Sequence, residues 1–114
     1  MVRDSLEIGQ KVYEIEQTAD GEQIDTTSPM RVVQTPTKAA EDFVIEGLGR
    51  TVYDLNRGYP ADDEVVGIAF ESSMNSPTRE PWDPSGAKVY YYPRSRLISA
   101  DDVIARVSTE GVVI

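Results

Sequence analysis

The stretch Gln10-Lys-Val-Tyr-Glu-Ile-Glu16 decides the fold class, because apolar and polar side chains alternate along it. In an extended chain, Tyr13 and Ile15 fall on one side and Val12 falls on the other. Ala19-Asp20-Gly21 follows with the residue types that favour a tight turn. The segment therefore predicts a β-strand that ends in a turn.

Short apolar or β-branched runs, bounded by turn residues, recur along the rest of the chain. They predict strands at residues 30–34, 43–46, 51–55, 65–70 and 88–92. Between them, residues 22–29 are predicted as a polar loop, Gly47-Leu48-Gly49 as a hairpin turn and residues 56–60 as a break.

Residues 35–46 fit two interpretations. Thr35 and Pro36 would suit the N-cap and the first position of a helix. The β-branched pair Val44-Ile45 beside Phe43 favours a strand instead. We predict a strand from about Phe43, with the helix as the alternative.

One short helix is predicted near the end of the chain. Ser99 is a good N-cap, and Asp102 follows three residues later, as in a capping box. The pattern places Val103, Ile104 and Val107 on one helical face, ends the helix at Gly111 and allows a closing strand at residues 112–114.

Together these elements predict a mainly β protein: a small antiparallel barrel or bent sheet of the SH3-like kind with one short C-terminal helix. No repeat, linker or low-complexity tract interrupts the 114 residues. We therefore predict that residues 1–114 form a single domain.

The composition excludes several classes of function. The chain has no histidine and no cysteine, so it has no Ser-His-Asp or Cys-His arrangement, no disulfide and none of the usual soft or borderline ligands for zinc, copper and iron. Asp62-Asp63-Glu64 is oxygen-rich but lacks the spacing of a calcium loop, so we predict a solvated turn there. The sequence predicts no enzyme activity, no catalytic residue, no cofactor and no metal.

The charge indicates an environment. Twenty acidic residues face eleven basic ones, for a net charge of −9, and the excess acid is spread over both halves of the chain. Such a surface is typical of a protein that stays in solution at molar salt, where charge repulsion is screened. We see no signal peptide and no apolar run long enough for a membrane span, and expect a cytoplasmic protein of a halophile.

The leading functional hypothesis is a non-enzymatic protein-interaction module. Its candidate interface is Trp82 with Pro81, in a long Pro-rich loop, together with Tyr59. The partner would be another protein or a second copy of the chain. The alternative role for Trp82 is to cap one end of the sheet.

A second hypothesis is a nucleic-acid-associated module. The segment Tyr90-Tyr-Tyr-Pro-Arg-Ser-Arg96 concentrates aromatic and basic side chains. In a strand, Tyr90 and Tyr92 share one face and Tyr91 takes the other. Tyr91 with Arg94 and Arg96 would form a stacking platform for single-stranded nucleic acid, although the negative overall charge opposes phosphate binding.

The sequence also resembles a group of small haloarchaeal proteins that have no assigned function. The resemblance lies in Thr51-Val-Tyr-Asp-Leu-Asn-Arg-Gly-Tyr-Pro-Ala-Asp-Asp-Glu-Val-Val-Gly-Ile-Ala-Phe-Glu71 and in Tyr90-Tyr-Tyr-Pro-Arg-Ser-Arg-Leu97. It implies a halophilic, cytoplasmic protein and implies no catalytic residue or ligand.

Overall fold

The computed structural model describes residues 5–75 and 83–110, and these ranges are mainly β. The prediction of a mainly β protein with a helix near its C-terminus is confirmed. The strands are β1 Lys11–Thr18, β2 Gly21–Gln34, β3 Val44–Ile45, β4 Arg50–Thr51, β5 Val65–Phe70, β6 Tyr90–Pro93 and β7 Leu97–Ser99, and the helix α1 spans Ala100–Glu110. Short 3₁₀ turns occupy Ala40–Asp42, Glu71–Ser73 and Arg94–Arg96.

Five of the strands form one antiparallel sheet in the order β6-β5-β2-β1-β7. The strands β3 and β4 pair only with each other, as a separate hairpin. The strand predicted at residues 65–70 is found with the same bounds, and the turn after β1 lies where the sequence placed it.

The sheet is curled, because its two edge strands are neighbours in the sequence. In a flat sheet, β6 and β7 would lie about 19 Å apart, since adjacent strands are about 4.8 Å apart. The four Cα steps from Pro93 to Leu97 span at most about 14 Å, and a 3₁₀ turn shortens them further. The edges therefore approach each other at this corner. Within the described ranges β6 and β7 do not pair, so the sheet is open, and the barrel and the SH3 likeness are not confirmed.

The inside of the curl holds the main hydrophobic core. All five strands of the sheet contribute to it, so their facing side chains must point to a common interior. Its members are Leu6, Val12, Met30, Val32, Val66, Ile68 and Leu97, with Phe70 and Tyr92 packed against them. Each fully buried aliphatic side chain of this kind contributes about 2 kcal/mol of transfer free energy.

A second cluster covers the outer side of β5 and β6. It contains Ala40, Val52 and Val65, with Phe43, Ile45, Tyr53 and Tyr91 packed against them. The β3–β4 hairpin belongs to this cover, and its turn uses Gly47 and Gly49 at φ angles of 87° and 66°, which favour glycine. The hairpin predicted around these glycines is thus confirmed, with shorter strands.

The loop predicted at residues 22–29 is wrong, because β2 runs from Gly21 through this stretch. Its polar residues pair with β1, where Ile15 lies opposite Ile24. Four residues, 26–29, then bulge opposite the single residue Tyr13. Residues 22–29 are polar because one face of this hairpin carries charged side chains. A prediction from hydrophobicity alone therefore assigns the segment to a loop.

Residues 35–46 contain no α-helix. The chain forms the 3₁₀ turn Ala40–Asp42 and then β3, so the strand prediction is confirmed in a shortened form. Backbone bonds to the turn before β5 hold this segment: the Ala40 N–H donates to the Asp63 carbonyl and the Glu41 N–H donates to the Ala61 carbonyl.

Helix α1 begins as predicted, since the Asp102 N–H donates to the Ser99 Oγ at 3.1 Å. Val103 is half-buried and Ile104 is 65% exposed, so these two residues, which the sequence placed on one helical face, differ in burial. The inner face instead includes Arg106, which forms an ion pair with Glu22 of β2. The closing strand predicted at residues 112–114 lies outside the described residues. No helix in the described ranges is long and apolar enough to cross a membrane.

Candidate interaction surface

The structure describes four of the six residues that the sequence singled out, namely Tyr59, Tyr91, Arg94 and Arg96. Pro81 and Trp82 lie outside the described residues. Tyr59 is half-buried in the turn that follows β4, where its N–H donates to the Asn56 carbonyl at 3.0 Å. The prediction of an interface at Trp82 and Pro81 therefore stays a prediction.

The alternation predicted for the tyrosine strand is confirmed. Tyr90 and Tyr92 pair with Ile68 and Val66 and share the inner face. Tyr91 takes the outer face, where its ring lies 4.7 Å from that of Phe43 and its hydroxyl donates to the Gln34 Oε1 at 2.9 Å.

The two arginines beyond this strand are also engaged. Arg94 is buried, with an exposed fraction of 6%, and its Nη1 donates to the Leu97 carbonyl at 2.7 Å. Arg96 contacts Glu14, Asn56 and the ring of Tyr92. These contacts do not favour the nucleic-acid hypothesis, which stays a prediction.

Arg96 is the centre of a polar cluster at the open end of the core. Its Nε and Nη2 donate to the Glu14 Oε1 at 3.0 and 2.8 Å, and its Nη1 donates to the Asn56 Oδ1 at 2.9 Å. The guanidinium carbon lies 4.2 Å from the centre of the Tyr92 ring. Asn56 is itself held, because its Nδ2 donates to the Val52 carbonyl at 2.8 Å. The arginine is therefore fixed by a carboxylate, an amide and an aromatic face.

Tyr59 lies close to this cluster. Burial raises the pKa of its phenol, Arg96 acts in the opposite direction, and Glu14 and Glu16 add to the increase. Burial likewise raises the pKa of Tyr92. A residue from the protein-interface hypothesis, Tyr59, and one from the nucleic-acid hypothesis, Arg96, thus come together at one site.

A groove continues from this cluster along the hairpin of β1 and β2. It has a volume of about 210 Å³ and is lined by Glu14, Glu16, Gln23, Ile24 and Asp25; we call it the β1–β2 groove. Glu14 pairs with the core residue Leu97, so the face that carries the core becomes charged at this point. Helix α1 binds the hairpin through Glu22, on the opposite face.

The groove carries an excess of negative charge. Glu14 and Asp25 are register partners on the two strands, and Glu16 and Gln23 are partners further out. Carboxylates directly opposite each other repel, so this arrangement costs stability. The hydroxyl of Thr27, and then its backbone N–H, lower the pKa of Asp25, so this carboxylate stays ionised at neutral pH.

The acidic turn at residues 62–64 has a different role. The Asp63 Oδ2 accepts the Ser95 N–H at 2.8 Å, and its Oδ1 accepts the Glu64 N–H at 3.1 Å. The carboxylate thereby ties the turn before β5 to the turn after β6. In the described ranges, no group of three or more acidic side chains is arranged to hold a metal ion.

Sequence reasoning missed Glu14, Asn56 and the groove. The sequence did contain a usable signal. In a strand, Val12, Glu14 and Glu16 share one face, and along that face an apolar residue is followed by two acidic ones. Charged residues on the inward face of a predicted strand mark the edge of a core. The partner of Glu14 was not predictable, since Arg96 is distant in sequence.

Comparisons with known proteins add no relative. No protein-family model, no curated protein and no solved structure matches the chain. The resemblance to small haloarchaeal proteins stays a prediction, and the function is argued from the site itself.

Proposed function

We propose that this protein is a non-enzymatic protein-interaction module and that the β1–β2 groove, with Tyr59 and Arg96 at its inner end, is its contact surface. The observation that carries the proposal is the groove itself, a concave surface of about 210 Å³ at the mouth of a curled sheet. Mouths of curled sheets and barrels are common binding sites. Glu16 and Asp25, two of its charged residues, are exposed.

The arrangement of the strands supports the SH3-like form of this proposal. The order β6-β5-β2-β1-β7, with a 3₁₀ turn joining the two edge strands, curls the sheet around one small core. Domains of the SH3 class bind extended peptide segments in grooves that contain aromatic residues. Tyr59 and Tyr92 would supply such residues here.

The composition supports the non-enzymatic part of the proposal. With neither histidine nor cysteine, the chain has none of the common nucleophile–base pairs. The carboxylate of Glu14 and the guanidinium of Arg96 bind each other, which suits a preformed surface. The even distribution of acid supports our further proposal that the module works in the cytoplasm of a halophile.

A selection experiment tests the interaction surface. Random peptides displayed on phage are selected against the full chain at about 1 M KCl, where non-specific charge attraction is screened. The selected peptides are then tested on Gln23→Trp, which fills the groove, and on the matched control Thr37→Trp, at an exposed position elsewhere. We expect binding to be lost with Gln23→Trp and retained with Thr37→Trp.

Two results would contradict the proposal: a selection that yields no binding peptide, or peptides that bind both variants equally. The same peptides report on the loop prediction. Loss of binding by Trp82→Ala at an unchanged melting temperature would place Trp82 in the interface. Unfolding of Trp82→Ala would favour the structural cap.

A further inference from the structure

The inner end of the groove shows how the protein binds a guanidinium group. Two nitrogens of Arg96 donate hydrogen bonds to one carboxylate oxygen of Glu14, and the third donates to the amide oxygen of Asn56. The guanidinium group also lies over the ring of Tyr92. This combination of carboxylate, amide oxygen and aromatic face suits arginine better than lysine, because the planar fork of arginine donates in several directions and stacks. The chain's own arginine therefore reports the chemistry of the site.

The outer end of the groove offers the same groups without a described arginine. Both nitrogens of Arg96 use the Glu14 Oε1, and no hydrogen bond from the described residues reaches the Glu14 Oε2, the Asp25 Oδ2 or the carboxylate of Glu16. Gln23, across from Glu16, supplies an amide oxygen, and the charges of both glutamates act on the Tyr59 phenol.

The charges of the groove are incompletely balanced. Arg96 offsets the charge of Glu14, but Asp25, directly across the strand, has no basic partner among the described residues. A repulsive cross-strand pair costs stability, and such costs are typical of functional surfaces. A basic group placed between Glu16 and Asp25 would remove the repulsion.

We propose that the β1–β2 groove binds the arginine side chain of an extended segment of a partner protein, in the way that its inner end binds Arg96. The inference rests on the proposed function and specifies the side chain by which the partner binds. The occupant carries positive charge because the unpaired groups are carboxylates. It lies extended because the groove runs along two strands, and it is not a nucleic acid because phosphates would face Glu14, Glu16 and Asp25.

The probe is an acetylated, amidated pentapeptide with a central arginine between prolines and glycines, which favours an extended conformation. Its counterparts replace the arginine by lysine or by citrulline, which keeps the shape and removes the charge. Each is titrated into the ¹⁵N-labelled full chain. The double variant Glu16→Gln/Asp25→Asn is compared with Glu46→Gln/Asp62→Asn, which removes the same charge from exposed positions elsewhere.

We expect the arginine peptide to shift the amide signals of residues 14–16 and 23–25, and the citrulline peptide to bind about tenfold more weakly. The Glu16→Gln/Asp25→Asn variant should lose about tenfold in affinity for the arginine peptide, and the control variant less than about twofold. Lysine should bind with intermediate affinity.

Three results would overturn the inference: equal binding of the citrulline peptide, equal loss in both double variants, or shifts confined to another surface. Displacement of the arginine peptide by millimolar Mg²⁺ with its own shifts at residues 14–25 would also overturn it, in favour of a cation site. If display selection yields groove-dependent peptides without a basic residue, the proposed function stands and this inference falls. If it yields no groove-dependent peptide, both fall.

Discussion

Arg96 and Glu14 are separated by 82 positions in the sequence, and the Arg96 Nη2 lies 2.8 Å from the Glu14 Oε1. The contact joins the turn between the two edge strands to β1, at the place where the core face becomes charged. It stabilises the corner of the curl and forms the inner end of the β1–β2 groove. The same pair therefore links the fold to the proposed surface.

Replacement of Arg96 tests this link. We expect Arg96→Ala to lower the free energy of unfolding by about 1–2 kcal/mol, because both partners are only partly buried and solvent screens the pair. Arg96→Lys should lower the free energy of unfolding by less, since lysine keeps the positive charge but not the planar set of guanidinium donors. Urea unfolding measures the difference, with Arg50→Ala at an exposed position as control. An effect no larger than that of Arg50→Ala would contradict the prediction.

Glu71 holds a second charged contact. Lys11 and Arg31 are register partners of like charge, and the buried Glu71 Oε2 lies 3.7 Å from the Lys11 Nζ and 3.3 Å from the Arg31 Nε. We expect Glu71→Gln to lower the free energy of unfolding by about 2–3 kcal/mol, because two cations then face each other. In the double variant Glu71→Gln/Lys11→Met, stability should partly recover. A further loss in the double variant would show that repulsion is not the cause.

Gly67 leaves no room for a side chain. A Cβ there would lie 2.9 Å from the Gln34 Cβ and 3.2 Å from the Tyr91 ring. We expect Gly67→Ala to cost about 1–3 kcal/mol through overpacking. Gly58→Ala is the matched control, since a Cβ at Gly58 meets nothing within 4 Å, and its effect should stay within about 0.5 kcal/mol. Thermal unfolding of the two variants compares them, and similar melting temperatures would refute the prediction.

Asp54 makes stability depend on pH. The backbone N–H of Thr51 donates to its carboxylate, and this bond, followed by the interaction with the Thr51 hydroxyl, lowers the pKa of Asp54 from 3.8. A lowered folded-state pKa contributes stability above the unfolded value, and this is lost as the pH falls through the folded value. We expect Asp54→Asn to be less stable than the wild type at pH 7. The difference in melting temperature should narrow below about pH 4. A difference that is constant down to about pH 2 would contradict the linkage.

The net charge of −9 predicts a dependence on salt. Lowering KCl from about 1 M to about 0.1 M lengthens the range of repulsion from about 3 Å to about 10 Å, so the melting temperature should fall. The melting temperature of the control variant Glu46→Gln/Asp62→Asn, which has two fewer negative charges, should fall less. A melting temperature that is flat or rises as KCl is removed would contradict the halophilic interpretation.

The sequence by itself determined the local elements whose signals lie within a few residues. Alternation identified β1, the run Val65–Phe70 identified β5, paired glycines identified the β3–β4 turn, and Ser99 identified the start of α1. Each signal is a local preference of the backbone or of one face, so no distant contact is needed to interpret it.

Only the tertiary structure decided which distant residues meet. The polar half of β2 became a strand because β1 pairs with it, and Ile104 became exposed because the sheet packs against Val103 and Arg106 instead. The groove and its arginine arise from a sheet whose edges are joined by three residues. That closure brings Arg96 to Glu14 across most of the chain, and local periodicity carries no information about which strands become neighbours.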